Sequence, residues 1–313
     1  GAKDLLYLLR YVPGFDFAAE LDHVIGIGIR GNNSNEGKVL VLIDDQQMNE
    51  TNYGSFDFGQ HILLNNIKRI EIIRGPGSAL YGGMAELAVI NIITKSGNDI
   101  NGISVSAGSD FSHGSVLSNN IQFAVGQKYK KNLEFSLSGF GYLGQKSNLR
   151  VRTFSGEQLN YADSSGFSSY NINIGVNYKN LKVKYIFDNK EFENLQKRMG
   201  NVLFTGHNLG IDYRLLLTPK LTVIPKIKLK SQQPWKFKNY REYEIYNTFN
   251  NRYLANITSI CEFSSKLNVV FGAEYFIDQG KKESDTIVYS SNQKREISYY
   301  TTALFTEANL FPQ

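Results

Sequence analysis

With 313 residues, 20% of them charged and a net charge of +5, the chain is neither compositionally disordered nor strongly polyionic. The basic excess is spread along the sequence and not clustered, which argues against a nucleic-acid partner. A run of about eighteen apolar residues, as a membrane-crossing helix needs, is absent. The opening GAKDLLYLLR lacks the pattern of a signal peptide, so any such leader is expected to have been removed already.

Cys261 is the only cysteine, so the fold must hold without an internal disulfide, and the residue reads as a small packed apolar side chain. The 19 tyrosines and 20 phenylalanines stand beside a single tryptophan. Together with a negative mean hydropathy, they suit many half-apolar strands, in a membrane barrel or in a large soluble sandwich.

In chain order, Asp4 to Arg10 places leucines at 5, 6, 8 and 9 and reads as a short helix stopped by Pro13-Gly14. Four short apolar runs follow, Val24–Ile29, Val39–Ile43, Ile67–Ile73 and Val89–Ile93, separated by polar, glycine-rich stretches. They are too short for helices and are bounded by turn residues, so they predict buried strands of a small α+β unit.

From about residue 100 the pattern becomes strict alternation. Leu133, Phe135 and Leu137 alternate with Glu134, Ser136 and Ser138, and Ile172, Ile174 and Val176 alternate with Asn171, Asn173 and Gly175. One apolar and one polar face is the mark of strands between unlike media. Ten strands are predicted, near 102–109, 114–127, 132–144, 170–179, 181–189, 203–217, 220–230, 251–264, 266–278 and 296–310. Tight links around Lys131, Asn180, Pro219 and Ser265 alternate with longer ones near 145–169, 190–202, 231–250 and 279–295. Short turns at one end and long loops at the other are what an outer-membrane barrel has. Leu133, Phe135, Ile211, Tyr213, Val269 and Phe271 are expected to face lipid, and Glu134, Asn173, Asp212 and Glu274 the lumen. Pro225, inside a strand, predicts a bulge.

Enzymatic signatures are missing. GIGIRG at 26–31 fits a dinucleotide fingerprint in letters only, because a polar turn and another strand follow where the fingerprint needs a helix. His23, His61, His113 and His207 have no metal-ligand spacing, and no nucleophile or paired-cysteine motif appears. No catalytic, cofactor or metal site is expected.

The most informative segment is 67–95, IKRIEIIRGPGSALYGGMAELAVINIITK: a strand, a Gly-Pro-Gly turn, a Tyr-Gly-Gly turn and a second apolar strand. Together with LLRYVPGF at 8–15, IRG at 29–31 and VLVLID at 39–44, it resembles the plug domain of TonB-dependent receptors, with all four elements in family order. The chain departs from the usual pattern at Asp45, where glycine is commoner, and at Glu86 and Leu87.

The resemblance implies an α+β plug (1–98) inside a transmembrane antiparallel β-barrel (99–313) in the outer membrane of a Gram-negative cell. It implies a receptor for energy-dependent import of a scarce ligand (siderophore, haem, vitamin or oligosaccharide), with the inner-membrane TonB energy-transducing complex and the lipid bilayer as partners. By analogy the ligand would meet plug apical loops carrying Glu20, Asp22 and His23 and then Asn49, Asn52, Tyr53 and Phe56. Arg30 and Arg74 would be buried anchors pairing plug to wall, with Glu71 a local partner for one. About ten strands cannot close a barrel of the 22-strand class. The barrel is therefore expected to be incomplete here, completed by more of the same chain or by another chain. The expected inner-membrane coupling segment is also not seen. The alternative is a non-transporting receptor-fold subunit of a larger outer-membrane assembly.

Overall fold

The computed structural model describes residues 4–19, 24–33, 36–59, 62, 64–77, 81, 84–112, 114–130, 132–152, 156, 158–161, 165–193, 200–238, 246–264 and 267–310. Its first third opens on helix α1 (Leu5–Leu9), capped by the Asp4 side chain, which accepts from the Tyr7 amide at 2.9 Å. Leu5 and Leu9 lie one helical turn apart and are both buried. Strands β1 (Phe15–Ala19), β2 (Ile25–Ile29) and β3 (Asn32–Asn33) form one antiparallel sheet. A second sheet contains β4 (Val39–Ile43), β5 (Gln46–Gln47), β6 (Ile67–Arg74) and β7 (Ala88–Thr94) in the order β5-β4-β7-β6.

In the second sheet β4 and β7 pair in parallel at its centre. Every residue of β4 is buried, as expected of an all-apolar strand covered on both faces. Its Val39, Val41 and Ile43 join Leu5, Leu9, Ile90 and Ile92 in the main core, where each side chain contributes about 1.5–3 kcal/mol on burial.

Helix α2 (Gly97–Ile100), closed by a reciprocal Ser96–Asp99 capping box, leads into the second architecture. Its ten principal strands are β8 (Gly102–Ser112), β9 (Ser115–Tyr129), β10 (Leu133–Gln145), β13 (Gly166–Tyr178), β14 (Leu181–Phe192), β15 (Asn201–Tyr213), β17 (Leu221–Lys238), β18 (Thr248–Ser264), β19 (Leu267–Lys282) and β20 (Glu296–Leu310). They pair antiparallel in chain order from β8 to β20, with the short β16 (Leu215–Thr218) against β17. A small hairpin, β11 (Arg150–Arg152) and β12 (Gln158–Asn160), decorates the connection after β10. No pairing joins β8 to β20 among the described residues.

All ten expected strands are present and tight links alternate with longer ones as expected, but the strand bounds at the long-connection end differ. β17 runs to Lys238 and β18 begins at Thr248, so the predicted loop 231–250 is mostly strand. The bulge also lies elsewhere. Pro225 pairs in unbroken register with Ile257, and on its other side it falls in the gap where pairing stops at Asp212–Lys226 and resumes at Leu215–Val223, so its missing N–H interrupts no ladder there. The irregularity is instead at Pro234–Trp235, opposite Phe204, where the register shifts between Leu203 and Thr205.

Side chains on the two faces of this wall meet different surroundings. Leu133, Tyr213, Ile227, Ile257 and Phe271 are exposed on the face away from the first third. Tyr129, Tyr178, Tyr213 and Phe263 mark that face at the tight-turn end, and Phe111, Tyr170, Phe249 and Tyr300 towards the other. Ser136, Ser138, Asn173, Lys184, Asn208 and Lys230 are buried on the opposite face.

Candidate functional site: the plug–wall interface

The segment linking β4 to Phe58 carries most of the interface. Asp44 and Asp45 turn the chain with φ of +48° and +67°, a conformation aspartate accepts better than most residues. Asp44 takes hydrogen bonds from the Thr94 amide (2.9 Å) and hydroxyl (2.6 Å). It also forms a buried ion pair with Lys184 of β14 at 2.7 Å. Burial alone would raise the Asp44 pKa, but the Lys184 charge and these donors outweigh it and hold the carboxyl below its ordinary value.

Further lysines grip backbone. Lys228 donates to the Asp45 carbonyl, and Lys230 to the carbonyls of Gln47 (3.0 Å) and Asn49. Arg252 of β18, held by Asp278 (Nε–Oδ1 2.5 Å), donates to Gln47 Oε1 at 2.9 Å. Lys190 pairs with Asp57 at 3.3 Å, both side chains buried, while Asp57 also accepts from the Ile25 and Gly59 amides.

The tip of the segment is shaped by Glu50, which sequence reasoning missed. Its buried carboxylate accepts from the amides of Asn52 (2.6 Å), Tyr53 (2.9 Å) and Ser55 (3.1 Å) and from the Ser55 hydroxyl (2.9 Å). This presents Asn52 and Tyr53 outward. Asn52 bonds Asn250 and Thr248 of β18. The Tyr53 ring lies edge-on to Trp235, 6.1 Å between centroids, and Trp235 packs on Phe204 at 4.8 Å. The bulge explains this cluster: it gives Trp235 a φ of +54° and turns Trp235 and Phe237 inward, where unbroken alternation would point them outward.

Two of the expected ligand residues are corrected. Asn49 is 1% exposed; its amide donates to Val39 and Gly54 carbonyls and its oxygen accepts from the Val41 amide, so it braces β4. Phe56 packs edge-on to Phe58 in the main core. Glu20, Asp22 and His23 lie outside the described residues.

The residues expected to anchor plug to wall meet no carboxylate of the wall among the described residues of 99–313. Arg30 and Arg74 are exposed, and neither forms an ion pair among the described residues. Arg74 reaches only the Pro13 carbonyl at 3.5 Å, and exposed Glu71 pairs with Arg69 at 2.7 Å. The reason is sheet order: β6 is the edge opposite β5, and it is the β5 side that the lysine-bearing strands grip. At the β5 side the plug–wall attraction runs from carboxylates on the inner unit to cations on the wall. The available signal was the lysines at 184, 190, 228 and 230, on the polar face of their strands.

Between the inner unit and β8–β13 the contact is looser. A cavity of about 150 Å³ lies there, floored by Ile43, Ile67 and Ile92.

A family model described as the TonB-dependent receptor plug domain matches residues 1–89. Residues 1–89 are a TonB-dependent receptor plug domain. Among curated relatives, a vitamin B12 transporter of Vibrio vulnificus is 40% identical over 129 residues, covering 40% of this chain and 21% of that protein. The corresponding transporter of Vibrio cholerae is 33% identical over 198 residues, covering 62% of this chain and 30% of that protein. The chain thus spans less than a third of the curated relatives it matches. Among solved structures, the FrpB iron transporter of Neisseria meningitidis superposes on 100% of the chain and 53% of its own length, with TM-score 0.72 and 15% identity. The siderophore receptor PirA of Pseudomonas aeruginosa covers 99% of the chain and 50% of its own length, with TM-score 0.69 and 16% identity. At such identities these structures speak for the fold: a plug beside a large antiparallel wall.

Proposed function

We propose that the whole receptor imports a scarce ligand across the outer membrane of a Gram-negative cell, with residues 1–98 as the gating plug and 99–313 as barrel wall. The observation that carries this reading is the two-faced wall. Its outer face is apolar with aromatic belts at both ends, and its inner face is polar and bonded to the plug. That pattern suits lipid outside and a plugged lumen inside. Movement of the plug requires work, which the inner-membrane TonB complex would supply. The cargo is of the kind carried by the relatives, a vitamin or an iron chelate, and the reading involves no covalent chemistry.

The test is uptake by cells producing the full receptor and otherwise lacking one. Radiolabelled vitamin B12 and ferric enterobactin should be offered separately. Accumulation of either, abolished by a protonophore, is the expected result; uptake of both no greater than in receptor-free cells overturns it. The lipid-facing assignment has its own check. Ile227→Arg, at an exposed mid-strand position, should cost about 2–4 kcal/mol in folding into bilayers, and no measurable cost would remove Ile227 from lipid.

A further inference from the structure

The ten strands do not hold the plug evenly. Strands β14–β18 grip it through Lys184, Lys190, Lys228, Lys230 and Arg252, all bonded to plug carboxylates, carbonyls or amide oxygens. The β8–β13 sector contacts it differently. At its tight-turn end Glu134 accepts from the Asn98 amide at 2.6 Å and Gly97 packs against the backbone of Gly126. Beyond that, Asn65 of the plug donates to Ser106 at 2.7 Å. The cavity of about 150 Å³ lies next to this contact, and at the long-connection end Val24 of the plug shares a buried cluster with Tyr142 and Phe167.

Its wall side is lined by the uncharged hydrogen-bonding groups of Ser104, Ser106, Gln122, Ser138, Asn171 and Asn173, interspersed with apolar Ala124 and Phe140. The charged lining residues are Lys95 and Asp99, beside α2, and Asp99 is already paired with Lys68. On the plug side Asn66 carries a buried carbonyl oxygen with no donor among the described residues. Buried polar atoms of this kind are normally satisfied, so this one marks a place that accepts a donor from outside the protein fold.

We propose that this cavity is the transit site of the receptor: the ligand passes between plug and β8–β13 while the neighbouring β14–β18 keep their side of the plug fixed. The cargo that fits is electroneutral and rich in amides or hydroxyls. Conduction needs contacts that are individually weak and repeated, which serine, asparagine and glutamine side chains supply. A polyanion moving along β14–β18 would instead meet the lysines that hold the plug. This inference rests on the import function proposed above.

The test uses full-length receptor in a Cys261→Ser background. One variant carries Asn65→Cys with Ser106→Cys; the other carries Thr51→Cys with Gln232→Cys, a pair on the gripped side with oxygens 3.5 Å apart. Each is linked by a short reducible thiol cross-linker, and uptake of vitamin B12, electroneutral and amide-rich, is measured beside that of trianionic ferric enterobactin. Vitamin B12 should be imported before linking, lost to the receptor-free level on linking 65 to 106, restored by reductant, and unaffected by linking 51 to 232. Surface binding should survive both links, which reports on folding. Import that survives the 65–106 link, import stopped equally by the 51–232 link, or import confined to ferric enterobactin overturns the transit site alone. Uptake of neither probe before linking overturns the import function itself. As a second variant, Ala124→Cys, at a cavity position that carries no hydrogen-bonding side chain, should import normally until a bulky thiol reagent is attached; import unchanged by the attached group contradicts the route.

Discussion

The two edges of the plug's four-stranded sheet carry similar densities of charge and meet different fates. At the β5 edge, Asp44 and Asp57 are buried against Lys184 and Lys190, each ion pair almost free of solvent. At the β6 edge, Lys68, Arg69, Glu71 and Arg74 stay largely in water, pairing locally or with backbone. Residue type does not separate the two sets. What separates them is whether a wall strand stands opposite, because a charge in a plugged lumen is tolerated only with a partner in reach. Against the strands of this chain, the β5 edge is therefore fastened by pairs whose loss is expensive, while the pairs formed at the β6 edge are exposed ones worth little.

The largest effect should come from splitting the buried pair. Asp44→Ala leaves Lys184 as an uncompensated buried charge, with an expected loss of about 3–5 kcal/mol. It should be read as faster hydrogen exchange in β4, β5 and β7 of the full receptor, with the wall strands unchanged. Arg74→Ala, by contrast, removes an exposed side chain and should stay within about 0.5 kcal/mol. Equal effects from the two substitutions would break the distinction between the edges.

Gly97 tests the point where plug passes into wall. A Cβ there would sit 2.1 Å from the Phe135 carbonyl oxygen and 2.8 Å from that of Gln127, both backbone atoms that cannot swing aside. Gly97→Ala should cost about 1–3 kcal/mol, the usual penalty for overpacking. Thermal unfolding of the full receptor measures it; an unchanged midpoint would mean that α2 is not wedged against β9 and β10.

Much of this arrangement was readable from residues alone. Alternation in 133–138 and 171–178 gave strand identity and inner against outer face, because a strand between lipid and lumen must repeat every second residue. The plug elements were legible because LLRYVPGF, VLVLID and the 67–95 segment form a specific ordered set. The strand ends were not. Beyond Ser231 the polar residues still pair, and the bulge at Pro234–Trp235 swaps the faces, so alternation ends without the strand ending. Nor was the sign of the plug–wall attraction legible: it depends on which sheet edge faces β14–β18, a fact of topology that 39–94 does not encode locally. Asn49 and Phe56 read as loop residues since nothing in QQMNETNYGSFDF shows that the loop folds back into the core.

The smallest expected effect concerns the β6 edge itself, where Lys68 bonds Asp99 at 2.7 Å. That hydrogen bond, followed by the one from the Ser96 amide, lowers the Asp99 pKa from 3.8 to about 2. The folded value lies below the unfolded one, so the contribution of this contact is fully present above about pH 4 and is lost as pH falls through about 2. At neutral pH, Lys68→Met should therefore loosen the β6–α2 contact only slightly, since the pair is exposed. Its clear signature is in titration. With carboxyl-labelled aspartate, the parent should show Asp99 with a midpoint near 2, and Lys68→Met should move that midpoint back towards 3.8. A parent midpoint already at 3.8 would show that Lys68 does not hold Asp99 in solution, leaving the β6 edge even less attached than the ion pair suggests.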